Sequence, residues 1–497
     1  MKVSSAIGAF LAVASAAVVD RKARGDGHGH DHLPMVDSRK LQNAIKSKAL
    51  LGGAKVLEKI AFSTPGRNRQ MGTLGHNLTT DFLVKELKKL GGYYKVETQT
   101  FWAPTFLNGT GTLLIDGVKT DSGMFDYTTT GNVTAPIVVV NNLGCTSSDY
   151  PSTLSGNIAL VKRGSCEFGL KSALAGAAGA KGALIYNNIQ GRLEGTLGLP
   201  GRPEGEYLPT LGLSNTQGLD FVTQITGGAT VTATIDVASD IQNRSTVNIL
   251  ATTTHGNSDE VLVLGAHTDS VYRGPGINDD GSGTIGILEV AKALSKYKVN
   301  NAVRFGWWSG EEIGLLGSEF YVASLSAEEQ AKIRLYLNFD MIASPNYILG
   351  IYDGDGSAYN NTGPAGSAQL EHFYQNWFKS NGHNYTSVDF TGRSDYGPFL
   401  DINVPCGGTE TGAEVIKTEA EVAMFGGTAG IPYDPNYHQA GDGVGNLAMD
   451  AFEINAKAIA ASVAEYAVSY KSLPPKAKSN KRGVFPRRTG KGKTLRI

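Results

Sequence analysis

Glu260–His267 reads EVLVLGAH, and the same shape returns at Ala302–Ser309 (AVRFGWWS) and Leu335–Ile342 (LYLNFDMI). Each is a short apolar run that closes on polar residues. Unbroken apolar runs of this length fit strands covered on both faces, as in parallel sheets. Between and after them the apolar spacing becomes three and four, which predicts helices over Gly283–Leu294, Ala327–Lys332, Leu370–Lys379 and Asp450–Tyr470. Strands alternating with helices predict an α/β fold: a mixed, mostly parallel sheet flanked by helices. In such sheets ligands bind beyond the strand ends, so the residues that close these runs are the first place to look for chemistry.

Upstream, Leu41–Leu57 and Thr80–Leu90 carry helical spacing, and YKVETQTFW alternates like a strand. From about residue 104 to 238 the composition shifts to Gly, Thr and Val, with short strand-like runs (GTLLIDG, APIVVVNN, NIALVKRG, GALIYNN, ATVTATIDV) and one alanine-rich helix, Lys171–Ala180. This predicts an inserted, mainly β module. The expected organisation is a signal peptide (1–16), a flexible linker (17–39), a first part of the main domain (40–103), the insert (104–238), the second part bearing the site (239–470) and a basic, disordered tail (471–497). With 497 residues, 41% of them hydrophobic, the chain can bury a core in two or three domains.

The first twenty residues, MKVSSAIGAFLAVASAAVVD, have the lysine, apolar run and small-residue cleavage site of a secretory signal, and are too short to span a membrane. Sequons at Asn77, Asn108, Asn132, Asn243, Asn360 and Asn384 agree with a secreted, N-glycosylated protein; vacuolar delivery begins with the same signal. Three cysteines cannot build the fold. Cys145 and Cys166 can pair across a modest loop, and Cys406 has no nearby histidine to make it a nucleophile. His28, His30 and His32 lie in a polar stretch that reads as linker. Ten Lys or Arg without an acid over Lys471–Ile497 read as a solvated tail, so neither nucleic acid nor membrane is an expected partner.

Acids and histidines crowd the strand ends: His267 and Asp269 in LGAHTDSV, Asp279 and Asp280 in GPGINDDGSG, Glu311 and Glu312 in SGEEIG, Asp340 in LNFDMI, and Tyr437, His438 and Asp442 in NYHQAGD. Buried together, so many carboxylates with few lysines or arginines are costly unless cations neutralise them. Imidazole with carboxylate suits zinc, and two ions about 3.5–4 Å apart, bridged by one ligand, match this number of acids.

The runs GAHTDSVYRGPGINDDGSG, WWSGEEIGLLGSEFYV and YHQAGD closely resemble the di-zinc aminopeptidases related to aminopeptidase Y, among them the fungal secreted leucine aminopeptidases. The likeness covers about residues 40–470. GNIALVKRGSCEFGLKSALAGAAGAKGALIYNN resembles a protease-associated domain, which occurs as an insert in that branch. The resemblance implies a zinc exopeptidase fold and two zinc ions. His267 and Asp340 would bind one ion, Glu312 and His438 the other, and Asp279 would bridge them, with a cis bond to Asp280. Asp269 would orient His267. Glu311 would be the general base that takes the proton of a water between the metals, which explains the adjacent glutamates: one holds metal, the other moves the proton. Tyr437 would stabilise the oxyanion. In TGRSDYGPF, Arg393 would hold the substrate backbone and Asp395 the free amine. The implied activity is removal of single, apolar N-terminal residues from peptides with a free N-terminus, by a monomer. A related di-zinc carboxypeptidase and a single-zinc glutaminyl cyclase are the alternatives; a binding protein that has lost its metals is disfavoured because every ligand position is filled.

Overall fold

The computed structural model describes residues 32–475. The expected signal peptide, most of the linker and most of the basic tail lie outside the described residues.

The fold is the mixed α/β architecture expected. In the main domain the strands run in the order Thr386–Val388, Gly350–Tyr352, Cys406–Glu410, Ile333–Phe339, Asn257–His267, Asn301–Trp308, Thr232–Thr253, with Tyr94–Ile115 beside the last. The Asn257–His267 strand pairs in parallel with Asn301–Trp308 and with Ile333–Phe339, which in turn pairs in parallel with Cys406–Glu410. The antiparallel pairings lie outside this centre. Three of the apolar runs are thus adjacent, and their C-terminal ends share one edge.

Burial explains why these strands do not alternate. Leu262, Leu264 and Ala266 enter one core cluster while Val261 and Val263 enter the cluster on the opposite face. Trp307 and Trp308 split the same way, as do Leu337 and Tyr336. The first cluster is roofed by helices Ser47–Phe62, Leu74–Lys88, Gly281–Leu294, Ser367–Ser380 and Met449–Tyr466, and the second by Leu316–Ser324 and Gly397–Asp401. Helix Gly281–Leu294 lies so close to the sheet that a Cβ on Gly283 would sit 2.0 Å from Phe339 O, so only glycine fits.

Helix Phe168–Ala177 starts and ends three residues before the expected Lys171–Ala180, Met449–Tyr466 ends four residues before the expected Tyr470, and two further helices differ more. The stretch expected as one helix over Leu41–Leu57 is two, Ser38–Ala44 and Ser47–Phe62. Ile45 turns extended between them (ψ 128°), and the bend keeps Leu41, Ile45 and Leu50 in one cluster. Packing overrides a helical spacing that would carry one of them out. The second helix begins at Leu74, six residues before Thr80, because Thr73 caps it by accepting from His76 N. Contacts also begin ahead of residue 40: Val36 is buried and donates to Lys298 O.

The insert is built on four strands in sequence, Gly131–Val139, Ile158–Lys162, Gly182–Tyr186 and Thr210–Leu213, with helices Phe168–Ala177 and Asn215–Thr226. Its junction with the main domain is a continuous pair of long strands. Tyr94–Ile115 and Thr232–Thr253 run antiparallel from one core into the other, interrupted by a register shift between Phe106 and Asn108. Cys145 and Cys166 form a disulfide. Cys406 is buried, and burial pushes its thiol well above the ordinary range. All six sequon asparagines are exposed. Among the described residues no helix is long and apolar enough to cross a membrane.

Candidate active site

Parallel strands deliver the predicted residues to one place. His267 is the last residue of its strand, Asp340 follows the neighbouring strand, and Glu311 and Glu312 follow Trp308 on the other side. His267 Nε2 lies 3.2 Å from Asp279 Oδ1, 3.5 Å from Asp340 Oδ1 and 3.8 Å from Glu311 Oε2. His438 Nε2 lies 3.1 Å from Asp279 Oδ2 and 3.0 Å from Glu312 Oε2. Asp279 therefore sits between the two imidazoles, one oxygen toward each. The Asp279–Asp280 peptide bond is cis.

The neighbouring groups fix these side chains. Asp280 is the N-cap of helix Gly281–Leu294: its Oδ1 accepts from Gly283 N (2.8 Å) and Met341 N (3.2 Å), and its Oδ2 from His267 N (3.0 Å). One buried carboxylate thus ties the strand carrying His267 to the segment after Asp340. Asp442 accepts from Asn278 N (2.8 Å) and Asp279 N (3.0 Å), and burial pushes its carboxyl up to about 8. Ser394 Oγ donates to Asp340 Oδ2 at 2.6 Å and leaves Oδ1 facing His267. Asp269 has two tasks. Its main-chain oxygen accepts from His267 Nδ1 at 3.2 Å, with the carboxylate at 3.7 Å. Its Oδ1 also accepts from Gly310 N (2.8 Å) and Glu311 N (3.3 Å), which sets the turn that presents both glutamates. Met341 and His438 hold left-handed backbones (φ 53° and 58°), a cost of about 1–3 kcal/mol each that the surrounding contacts sustain.

The weaker assignments also converge. Arg393 donates to Glu414 Oε1 (2.6 Å) and to the Tyr437 hydroxyl (3.2 Å), and the Tyr437 ring stacks on His438 at 3.8 Å. Burial raises the Tyr437 phenol well above its ordinary range, so it keeps its proton and can donate it. Asp395 accepts from Ser318 Oγ at 2.5 Å, and burial pushes it up to about 7.

The electrostatics call for a cation. Burial pushes Glu311 well above the ordinary carboxylate range, and Asp340, Asp395 and Glu312 add to it against the pull of His267. Glu312 is pushed by burial, and then by Asp279, up to about 7. The fit to metal rests on specific atoms. His267 Nε2, Asp279 Oδ2, Glu312 Oε1 and Asp340 Oδ1 are all buried without an aligned hydrogen-bond donor or acceptor. Orphaned buried polar atoms are rare. Here four occur on four of the five expected ligands, with the fifth, His438, against two of them. A ring nitrogen of His267 and one carboxylate oxygen each of Asp279 and Glu312 lie within 4.8 Å of one another. Carboxylate and imidazole donors converging in this way suit a divalent transition metal.

Arg69 was not legible in the sequence. It is fully buried and donates to Pro275 O (2.9 Å), Thr268 O and Gly276 O, while its own N–H meets Ser270 Oγ at 2.9 Å. The loop after His267 is held by this one guanidinium. Arg69→Leu is expected to cost about 3–5 kcal/mol, because three carbonyls lose a charged donor in the interior. A Tm within a degree of wild type by calorimetry would remove Arg69 from this role.

The insert packs against the loops that carry the site. Tyr272 packs edge-on against Phe106 at 5.5 Å, and Ile313, beside the glutamates, packs against the cluster of Phe125 and Phe168. Arg273 pairs with Asp126 at 3.2 Å.

Comparison with known proteins bears on both parts of the chain. Residues 248–463 match the model of peptidase family M28, and residues 133–221 match the PA domain. Over 454 residues the chain is 50% identical to a protein named probable leucine aminopeptidase 2 from Aspergillus fumigatus, covering 91% of this chain and 90% of that one. It is 46% identical over 482 residues to leucine aminopeptidase 2 of Arthroderma otae, covering 96% and 95%. Among solved structures, an aminopeptidase from Aneurinibacillus sp. strain AM-1 superposes with a TM-score of 0.72 at 26% identity, over 86% of this chain and 95% of that one. A zinc aminopeptidase from Bacillus subtilis shares the fold with a TM-score of 0.65 at 24% identity, over 86% and 96%.

Proposed function

The chain belongs to peptidase family M28, and from that premise we propose that it is a secreted di-zinc aminopeptidase that removes single N-terminal residues, chiefly apolar ones of the leucine type, from peptides. The observation that carries this reading is the set of orphaned ligand atoms around Asp279, with Glu311 beside them and outside the set. His267, Asp279 and Asp340 would hold one zinc ion, and Asp279, Glu312 and His438 the second. Bound zinc supplies the positive charge that lets water ionise near neutral pH and that polarises the scissile carbonyl.

The chain's own groups do the rest. Glu311 takes the proton of the attacking water at its carboxylate and returns it to the departing amine. The Tyr437 hydroxyl donates to the carbonyl oxygen as negative charge grows there, and Arg393 holds the phenol for that task. Asp395 faces the substrate's ammonium group. Tyr272 and Ile313 pack on the inserted domain beside the site-bearing loops. The relatives named leucine aminopeptidase support the exopeptidase reading and the apolar preference. The apolar N-terminal run and the six exposed sequons support secretion.

The test is hydrolysis of leucyl-, lysyl- and glutamyl-linked chromogenic amides. Leucyl amide is expected to be cleaved fastest and N-acetyl-leucyl amide not at all. A chelator is expected to abolish activity and zinc to restore it. Cleavage of the acetylated substrate would refute an aminopeptidase, and chelator-resistant turnover would refute the metal.

A further inference from the structure

A second group of carboxylates lies outside the site described above. Asp353 directly follows strand Gly350–Tyr352, Asp355 stands two residues on, and Glu371 lies on helix Ser367–Ser380. One oxygen of each comes within 4.8 Å of those of the other two. Asp353 is 0% exposed and Glu371 1%, while the Asp355 side chain is 33% exposed and opens the group to solvent.

Their oxygens can be accounted for one by one. Asp353 Oδ2 accepts from Ala358 N (3.0 Å) and Tyr359 N (2.9 Å). Asp355 Oδ1 accepts from Ser357 N (2.8 Å), and its Oδ2 lies 3.7 Å from His372 Nε2. Glu371 Oε2 accepts from Gly354 N (2.9 Å) and Asp355 N (3.1 Å), and Oε1 from Gln375 Nε2 (2.7 Å). Asp353 Oδ1 is left, buried and with no N–H or O–H donor, and the Asp353 carboxyl stands against the carboxyl of Asp355. A carboxylate oxygen removed from water with no donor is costly, and two further acids beside it raise that cost. No Lys or Arg pairs with the group among the described residues, and the exposed imidazole of His372 lies 3.7 Å from Asp355 Oδ2.

We propose that Asp353, Asp355 and Glu371 form a binding site for a hard divalent cation, calcium in the first place, separate from the catalytic metals. The donor set is oxygen only, which suits calcium rather than zinc. The open side at Asp355 leaves room for the waters that complete a coordination sphere of about six to eight oxygens. Asp353, Asp355 and Ser357 alternate as the first ligands of calcium loops do, although the positive-φ glycine here is Gly356, earlier than in an EF-hand loop.

The bound ion fastens the segment that leads into the catalytic site. Asp353 N donates to Val388 O (2.8 Å), Tyr359 OH to Ser387 O (3.1 Å), and Asn361 Nδ2 to Asp389 Oδ1 (3.0 Å) and Phe390 O (2.9 Å). That segment leads into Ser394, which orients Asp340. Closing the acidic loop therefore stiffens the run that holds one metal ligand.

The test uses the full-length, zinc-loaded protein, freed of weakly held ions and with its zinc content verified. Calcium chloride is titrated in, with binding followed by calorimetry and Tm by differential scanning. Saturable one-to-one binding and a Tm rise of several degrees are expected. Asp353→Asn keeps the acceptor for Ala358 and Tyr359 but should weaken calcium binding by about tenfold or more and remove the Tm response. Glu371→Gln and Asp355→Asn should weaken binding too, and serve should Asp353→Asn fail to fold. Zinc content should be unchanged in all three. The proposal is overturned if the wild type shows no calcium binding, or if the variants bind calcium as the wild type does. It is overturned equally if calcium-free Asp353→Asn matches or exceeds wild-type stability while calcium leaves the wild-type Tm unmoved, the signature of a proton shared between the acids.

Discussion

Glu311→Gln is expected to lower kcat for leucyl-amide hydrolysis by about 10³-fold, within the roughly 10²–10⁴-fold contribution of a positioned base, with zinc content and Tm at wild-type levels. Glutamine keeps the shape and the main-chain N–H bond to Asp269 but cannot accept the proton. The zinc content should survive because Glu311 stands apart from the orphaned ligand atoms: its Oε2 is 3.8 Å from His267 Nε2, the longest of that nitrogen's carboxylate distances through Nε2. Turnover within tenfold of wild type at full zinc would exclude Glu311 as the base. A loss that tracks lost zinc would instead make it a ligand.

Asp279→Asn is expected to have the opposite signature. Its two oxygens face the two imidazoles at 3.2 and 3.1 Å, so one substitution touches both halves of the centre. An amide offers one neutral oxygen where the carboxylate offers two charged ones. Zinc affinity should fall by more than about 100-fold, beyond the 10–100-fold seen when only a supporting group is lost. Elemental analysis after dialysis should find less than one zinc per chain, with activity lost in proportion and restored in part by excess zinc. Retention of the wild-type zinc complement would show that Asp279 is no shared ligand.

Much of the site was legible because of where its residues fall. His267, Asp340 and the Glu311–Glu312 pair close apolar runs, and runs buried on both faces announce a parallel sheet whose ends coincide. The family motifs extended this to His438, Tyr437 and Arg393, which no local pattern singles out. The helix break at Ile45 and the early start at Leu74 were not legible. The first follows from a core that three apolar residues must share, the second from a threonine cap outside the apolar spacing.

The sequence by itself determined the layers of the fold and the chemical kinds of group at the strand ends, since both follow from period and from the cost of burying charge. Tertiary structure alone decided which oxygen of Asp279 meets which imidazole, that Ser394 turns Asp340, and that Asp269 holds the Glu311 turn. It also decided that Arg69 pins the loop ending at Gly276, 207 residues away. Contacts between such distant positions leave no trace in spacing or composition. They exist because folding removes these groups from water together, and each must then find its partner among the few that packing has left within reach.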